Sequence, residues 1–245
     1  MQTLTPIWPA PPRIRAFMTL RTGGCSRSPY ASFNVAAHVG DDPLAVAANR
    51  ALLRGLLPAE PLWLNQVHGT KVLPASEHCG PHTPDADAIW TRERGRICVI
   101  MTADCLPILI TDRAGTQVAA VHAGWRGLAD GIIEEALKTF TDQSMSLLAW
   151  LGPCVGSKTF EVGTEVYQAF TAHDPESRQA FVSRSADRWL ADLQTLARIR
   201  LRRCGVDSIH ADTRCTYTDH RRFYSYRRDG QTGRMATLIW IDKSR

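Results

Sequence analysis

Several things are missing from this 245-residue chain, and each absence closes off a class of protein. Nowhere do about 18 apolar residues follow one another without a charge, the length that a membrane-spanning helix needs, so no membrane association is expected. Met1 to Ile14 carries the prolines of Trp8-Pro9-Ala10-Pro11-Pro12 and no apolar run behind basic residues, unlike a secretory leader. The seven cysteines, at 25, 79, 98, 105, 154, 204 and 215, include no CxxC pair. An odd number of such thiols in a chain too large to need stapling fits a reducing compartment, and a cytoplasmic location is expected. No Pro/Gly/Ser tract divides the chain and no internal repeat runs through it, so residues 1–245 are expected to form one domain.

What is present is a succession of strand and helix signals. Arg13 to Leu20 reads as a strand running into the turn Arg21-Thr22-Gly23-Gly24, and Pro43 to Leu57 as a helix capped by Asp41 or Asp42. Pro61 to Val67 reads as a strand leading to His68-Gly69, with Lys71 to Pro74 beyond the turn and Asp85 to Trp90 as a short extended piece. Ile97 to Met101, Leu106 to Thr111 and Gln117 to His122 are branched apolar runs of the kind buried on both faces of a sheet. Pro107 cannot donate to a ladder and predicts a break, bulge or sheet edge. Helices are predicted over Leu128 to Phe140, Thr164 to His173, and Leu190 to Cys204 before Gly205, with strands at Leu147 to Leu151 and Met235 to Ile241. The fold class implied is α+β, a layered α/β sandwich with mixed sheets.

The formal charge of +5 is mild but unevenly spread. Arg198, Arg200, Arg202 and Arg203 form one group, and Arg221, Arg222, Arg227, Arg228 and Arg234 another. A nucleic-acid face is conceivable, but no groove-reading motif accompanies the arginines. A solvated helix face and ion-paired or anion-binding arginines are the expected reading.

Candidate chemistry lies at strand ends. His68 stands where a strand meets a glycine, Cys105 follows Asp104 at a strand break, and His122 ends a buried strand before Gly124-Trp125-Arg126-Gly127. Two imidazoles and a thiolate are a borderline-soft ligand set that suits zinc and leaves a fourth position for water, the catalytic arrangement. Their spacing matches no short zinc signature, so the residues alone leave open two alternatives: unrelated structural side chains, or a Cys105–His122 nucleophile pair without metal. Asp104 is a candidate base or ligand-orienting group, with a turn-capping carboxylate as the alternative. Arg126 is a candidate anion site. Asn34 in Ser32-Phe33-Asn34 and Gln66 are candidate substrate or phosphate contacts.

The wording of Asn65-Gln66-Val67-His68-Gly69, Asp85-Ala86-Asp87-Ala88, Thr102-Ala103-Asp104-Cys105-Leu106-Pro107, Val121 to Gly127 and Leu151-Gly152-Pro153-Cys154 resembles the YfiH-type family. Arg21-Thr22-Gly23-Gly24 and Phe223 to Met235 extend the likeness over nearly the whole chain. That family was long labelled polyphenol oxidase or laccase-like and is now regarded as purine nucleoside phosphorylases. The resemblance implies that His68, Cys105 and His122 are metal ligands, that the fold is a cysteine-hydrolase-like sandwich, and that nucleoside and phosphate are the small-molecule partners. It also implies phosphorolysis of adenosine, inosine and methylthioadenosine, with adenosine deamination beside it. A second activity linked to bacterial relatives is amide hydrolysis, removing misincorporated serine from a cell-wall precursor. Zn(2+) is the expected cofactor, since three ligands of this type build no multicopper cluster and copper would bind only adventitiously. A monomer or small homo-oligomer is expected. Cys25 departs from the pattern, standing in the glycine-rich turn where an aliphatic residue is expected, far from the ligands in sequence.

Overall fold

Strands that are apolar on both faces must be covered twice, and that requirement sets the architecture. The computed structural model describes residues 1–75, 83–140, 146–172 and 174–243. In chain order it contains β1 (Thr3–Leu4), β2 (Ile14–Thr19), α1 (Pro43–Arg54), β3 (Val72–Pro74), β4 (Ala88–Thr91), β5 (Ile97–Thr102), β6 (Leu106–Asp112) and β7 (Val118–Ala123). There follow α2 (Trp125–Asp130), α3 (Ile132–Leu137), β8 (Leu147–Leu151), β9 (Glu161–Gly163) and α4 (Thr164–Thr171). A 3₁₀ turn at Pro175–Ala180 leads to β10 (Phe181–Ser185), β11 (Arg188–Ala191), α5 (Leu193–Arg203), β12 (Ser208–Ala211), α6 (Tyr226–Asp229) and β13 (Met235–Ile241).

A six-stranded mixed sheet runs β12-β8-β6-β7-β4-β3, and a four-stranded antiparallel sheet runs β1-β2-β13-β5. The remaining sheet, β10-β11-β9, is small and antiparallel. Alternation along β6 shows how the layers are built: Leu109 shares one buried cluster with Trp150, Ile100, Met18 and Ile239, contributed by both large sheets. Ile108 and Ile110 point the other way, into a cluster with Leu128, Ile132 and Leu196 of α2, α3 and α5. The outer face of the four-stranded sheet, including Val99 and Leu238, is covered by Leu53 of α1 with Phe33 and Val35. Helix, sheet, sheet and helices thus form the layered mixed sandwich read from the sequence. Among the described residues no helix is long and apolar enough to cross a membrane.

Four local expectations need correction. Pro107 interrupts nothing: it is the second residue of β6, opposite His122, and its carbonyl accepts the Gly152 N–H at 2.8 Å just past the end of β8. Its missing N–H therefore falls outside the β6–β8 register, which begins at Ile108↔Leu151. The helix expected over Leu128 to Phe140 is two helices, α2 and α3, parted at Gly131 with φ 103°. The first residues of the helix expected from Leu190 lie instead in β11, because Asp192 caps α5 by accepting the N–H groups of Gln194 and Thr195. Pro61 to Val67 makes only isolated bridges, Leu62 to Cys98 and Asn65 to Asp85. Of the remaining positions, α4 ends at Thr171, and His173 and Cys79 lie outside the described residues.

Candidate functional site

The register of β4, β7 and β6 gathers the chemistry at one sheet end. Leu106 pairs with Ala123, Pro107 with His122, and Ala88 with Val121, so Cys105 before β6, His122 near the end of β7 and Asp87 before β4 become neighbours. His68 arrives from the loop ahead of β3. The ligand atoms of His68, Cys105 and His122 all lie within 4.8 Å of one another. Cys105 Sγ is 3.7 Å from His68 Nε2, and the two imidazoles meet edge to face at 4.9 Å.

Asp87 organises two of the three. Its buried carboxylate accepts backbone N–H groups from Val67 at 3.2 Å, His68 at 2.9 Å and Gly69 at 2.8 Å, which holds His68 at φ 61°. It also takes His122 Nδ1 at 2.8 Å, which directs Nε2 toward the other ligands. Burial alone would raise the Asp87 carboxyl, but His122 and these amides outweigh it and hold the group below the usual carboxylate range. Burial would likewise raise the Cys105 thiol, and the His122 and His68 imidazoles overcome that and bring it down toward the thiolate. Gly124 leaves room for the cluster: a Cβ there would stand 2.7 Å from His68 Cδ2 and 3.2 Å from Cys105 Sγ.

A thiolate and two imidazoles, one of them oriented by a carboxylate, fit a divalent metal such as zinc, and the cluster opens into a cavity, with no fourth protein ligand among the described residues. That cavity, about 430 Å³, is also lined by His38, Gln66, Thr102, Arg126, Tyr226 and Arg234.

The other candidates from the sequence divide. Arg126 reaches the pocket, stacked on Trp125 with its guanidinium carbon 4.4 Å from the ring centroid, and has no carboxylate partner among the described residues. Gln66 lines the pocket, but its amide is engaged on β5, accepting Met101 N–H at 2.7 Å and donating to Met101 C=O at 2.8 Å. Asn34 is buried outside the pocket and accepts the Arg234 N–H at 2.9 Å while its amide donates to Asp41, so it positions Arg234. Asp104, at φ 91°, spends its carboxylate on Thr216 Oγ1 at 2.6 Å, Ser225 Oγ at 2.9 Å and Arg227 N–H at 2.6 Å. Those contacts describe the turn-holding alternative: Asp104 ties the segments behind Cys105 together.

Sequence reasoning passed over the role of Asp87, and gave Arg234 only as one member of a group of ion-paired or anion-binding arginines. The strand pairing that brings Asp87 under His122 is not visible in a short extended stretch. Arg234 was grouped with its basic neighbours, yet it is half-buried, donates to the Thr232 and Gly233 carbonyls at 2.9 and 3.0 Å, and has no carboxylate partner among the described residues.

Residues 15–242 match the family model described as multi-copper polyphenol oxidoreductase laccase. The chain is 51% identical over 239 residues to "Purine nucleoside phosphorylase PA4543" of Pseudomonas aeruginosa, covering 97% of this chain and 98% of that protein. It is 48% identical over 241 residues to "Purine nucleoside phosphorylase YfiH" of Escherichia coli, again covering 97% and 98%. Among solved structures, Neisseria meningitidis protein NMB0706 superposes with a TM-score of 0.95 at 45% identity, covering 99% of this chain and 100% of that one.

Proposed function

Because this chain belongs to the family described as multi-copper polyphenol oxidoreductase laccase, and close relatives in it are named purine nucleoside phosphorylases, we propose that it is a zinc-dependent purine nucleoside phosphorylase. The substrates in this reading are adenosine, inosine and methylthioadenosine, cleaved by phosphate to the free base and a ribose 1-phosphate, with hydrolytic deamination of adenosine as a second reaction. The observation that carries it is a pocket that joins the His68, Cys105 and His122 cluster to two arginines, Arg126 and Arg234, that have no salt-bridged carboxylate among the described residues.

Phosphate needs cationic donors that are not locked in an ion pair, and among the described residues neither guanidinium is salt-bridged to a carboxylate, although Asp104 and Cys105 lie near enough to Arg234 to act on it electrostatically. Arg234, partly withdrawn from water, attracts an anion more strongly than a surface arginine does. The aromatic ring of Tyr226 gives a flat apolar contact for a base or ribose at the same pocket. His38, whose pKa is lowered first by burial and then by Arg234 and Arg50, is neutral near pH 7 and offers a hydrogen-bonding ring nitrogen without competing for phosphate. Zinc held by His68, Cys105 and His122 would supply Lewis acidity at the reacting oxygen. Asp87 keeps the His122 tautomer with Nε2 toward that metal. The triad is the one such ligand cluster among the described residues, too few donors for a multicopper centre.

The test is to incubate the protein with inosine and with adenosine, with and without phosphate, and to follow base, ribose 1-phosphate and inosine by chromatography. Base release is expected only with phosphate and should be lost after zinc is stripped and restored on its return. Consumption of adenosine at equal rate without phosphate, yielding inosine alone, would overturn the phosphorylase reading. Cleavage of the seryl cell-wall precursor by protein that leaves nucleosides untouched would move the assignment to the amidase.

A further inference from the structure

Outside the metal pocket a second cavity, about 340 Å³, is lined by two cysteines together with Lys158, Thr159, Asp192 and Arg214. We infer that Cys154 and Cys215 form a peroxide-convertible thiol pair, an oxidative modification site in which the Cys215 sulfur attacks peroxide and Cys154 resolves the product into a disulfide.

The backbone brings the two together. β8 and β12 are parallel neighbours, and the pairing reaches past their ends to an isolated parallel bridge between Cys154 and Cys215, where Thr216 N–H donates to Cys154 C=O at 2.9 Å. Neighbouring strands lie about 4.8 Å apart, within the Cα separation of roughly 4.4–6.8 Å that a disulfide spans. Residues in register project to the same side of the ladder, and both of these line the same cavity.

Their surroundings give them different tasks. Cys215 is partly exposed, and its Sγ receives the Gly156 N–H at 3.1 Å with the Thr159 hydroxyl 3.3 Å away. Burial would raise this thiol, but Thr159, Thr218 and the Gly156 amide outweigh it and hold it below the ordinary thiol range. Cys154 is buried and pushed up, by burial first and then by Asp192 and Cys215, so it stays protonated while its neighbour reacts. An accessible, hydrogen-bonded thiol whose ionisation is favoured, beside a protected thiol, is the arrangement of an attacking and a resolving cysteine.

The chemistry balances with hydrogen peroxide as the oxidant. Cys215 sulfur attacks one peroxide oxygen, the O–O bond breaks, and the departing hydroxide takes a proton to become water, leaving a sulfenic acid. Cys154 sulfur then attacks the Cys215 sulfur, the S–O bond breaks, and the second hydroxide takes the Cys154 proton as water. Two thiols are oxidised to one disulfide while one peroxide is reduced to two waters. The bond would act on the metal site through its neighbours: Val155 N–H donates to the Asp104 carbonyl at 3.0 Å, and Thr216 Oγ1 to the Asp104 carboxylate at 2.6 Å.

Treating the full chain with hydrogen peroxide, blocking residual thiols with N-ethylmaleimide and mapping non-reduced peptides by mass spectrometry tests this. A Cys154–Cys215 linked peptide is expected, abolished by dithiothreitol. In Cys154→Ser, dimedone should label Cys215 several-fold faster than the exposed Cys25 and Cys204. The inference is overturned if the Cys154 and Cys215 peptides stay reduced while other cysteines oxidise, or if dimedone labels Cys25 and Cys204 as fast as Cys215. The readout is peptide identity, so it stands or falls apart from the nucleoside reaction.

Discussion

Asp87 is buried and accepts four hydrogen bonds, three from backbone amides around His68 and one from His122. Replacing it with Asn puts an amide NH₂ where at least one of those N–H donors now points, leaving buried donors facing each other. Asp87→Asn should weaken zinc binding by about 10–100-fold, as the loss of an orienting partner commonly does, and cost about 1–3 kcal/mol of stability from unsatisfied groups. Competition against a chromogenic chelator, with denaturant titration beside it, measures both; unchanged zinc affinity would remove Asp87 from the site. Gly124 is constrained differently, since the Cβ of an alanine would stand 2.7 Å from His68 Cδ2. Gly124→Ala should therefore displace His68 and lower metal affinity while far-ultraviolet circular dichroism stays that of the wild type. At this scale the residues His68, Cys105 and His122 at strand ends left several readings open, and it was the family resemblance that singled them out as expected ligands. The sequence concealed the task of Asp87, which depends on which strands pair, and it did not single out Arg234 from the other arginines of its group.

Helix and strand signals were legible wherever a pattern ran uninterrupted, as in β8 and β13, whose limits coincide with the apolar runs Leu147–Leu151 and Met235–Ile241. They blurred where a tertiary contact outvoted a local period. The α2–α3 break is one such place: Gly131 adopts φ 103°, and Arg200 from α5 donates to the Ala129 carbonyl and pairs with Glu134, both at 2.7 Å, on either side of the break. A methyl at position 131 meets nothing closer than 3.5 Å, so the cost of Gly131→Ala is the left-handed backbone alone, about 1–2 kcal/mol. Chemical denaturation of the variant measures that cost, and a change below experimental error would mean the chain escapes this conformation freely. The 3₁₀ turn is fastened to α5 by Asp174, which accepts from Ser177 Oγ, Glu176 N–H and Arg203. Burial works against ionising Asp174, yet Ser177 and Arg203 hold its pKa below the ordinary value. A depressed carboxyl contributes stability that is fully present above the unfolded value, about 3.9, and is lost as pH falls through the native one. Arg203→Ala should thus lower stability at neutral pH and flatten its decline below about pH 4, as read from melting temperatures across that range.

For the molecule as a whole, the layered sandwich was legible in the succession of strand and helix signals, whereas the arginine groups, read as a solvated helix face and as ion-paired or anion-binding side chains, gain their individual partners only in the fold. Most of those arginines hold the structure together. Arg200 braces α2 and α3, Arg203 binds Asp174 and Glu176, and Arg198 donates to the Ile209 carbonyl. In the second group Arg222 pairs with Asp219, Arg227 donates to the Glu161 carbonyl, and Arg228 holds the Thr216, Tyr217 and Phe223 carbonyls. Arg234 is turned into the pocket. A guanidinium committed to a carboxylate has its charge offset locally, and one locked onto carbonyls is fixed in direction, so neither is free to follow a phosphate backbone. Duplex binding needs several cations released to phosphates at once, which is what makes it fall steeply with salt. With a formal charge of only +5 spread over these fixed partners, weak retention on random duplex is expected at low ionic strength and none at about 0.15 M salt, where charges beyond roughly 8 Å are screened. Electrophoretic mobility shift across a salt series decides it: retention that persists at that ionic strength would show the arginines acting outward, and the inward accounting of their charge would be wrong.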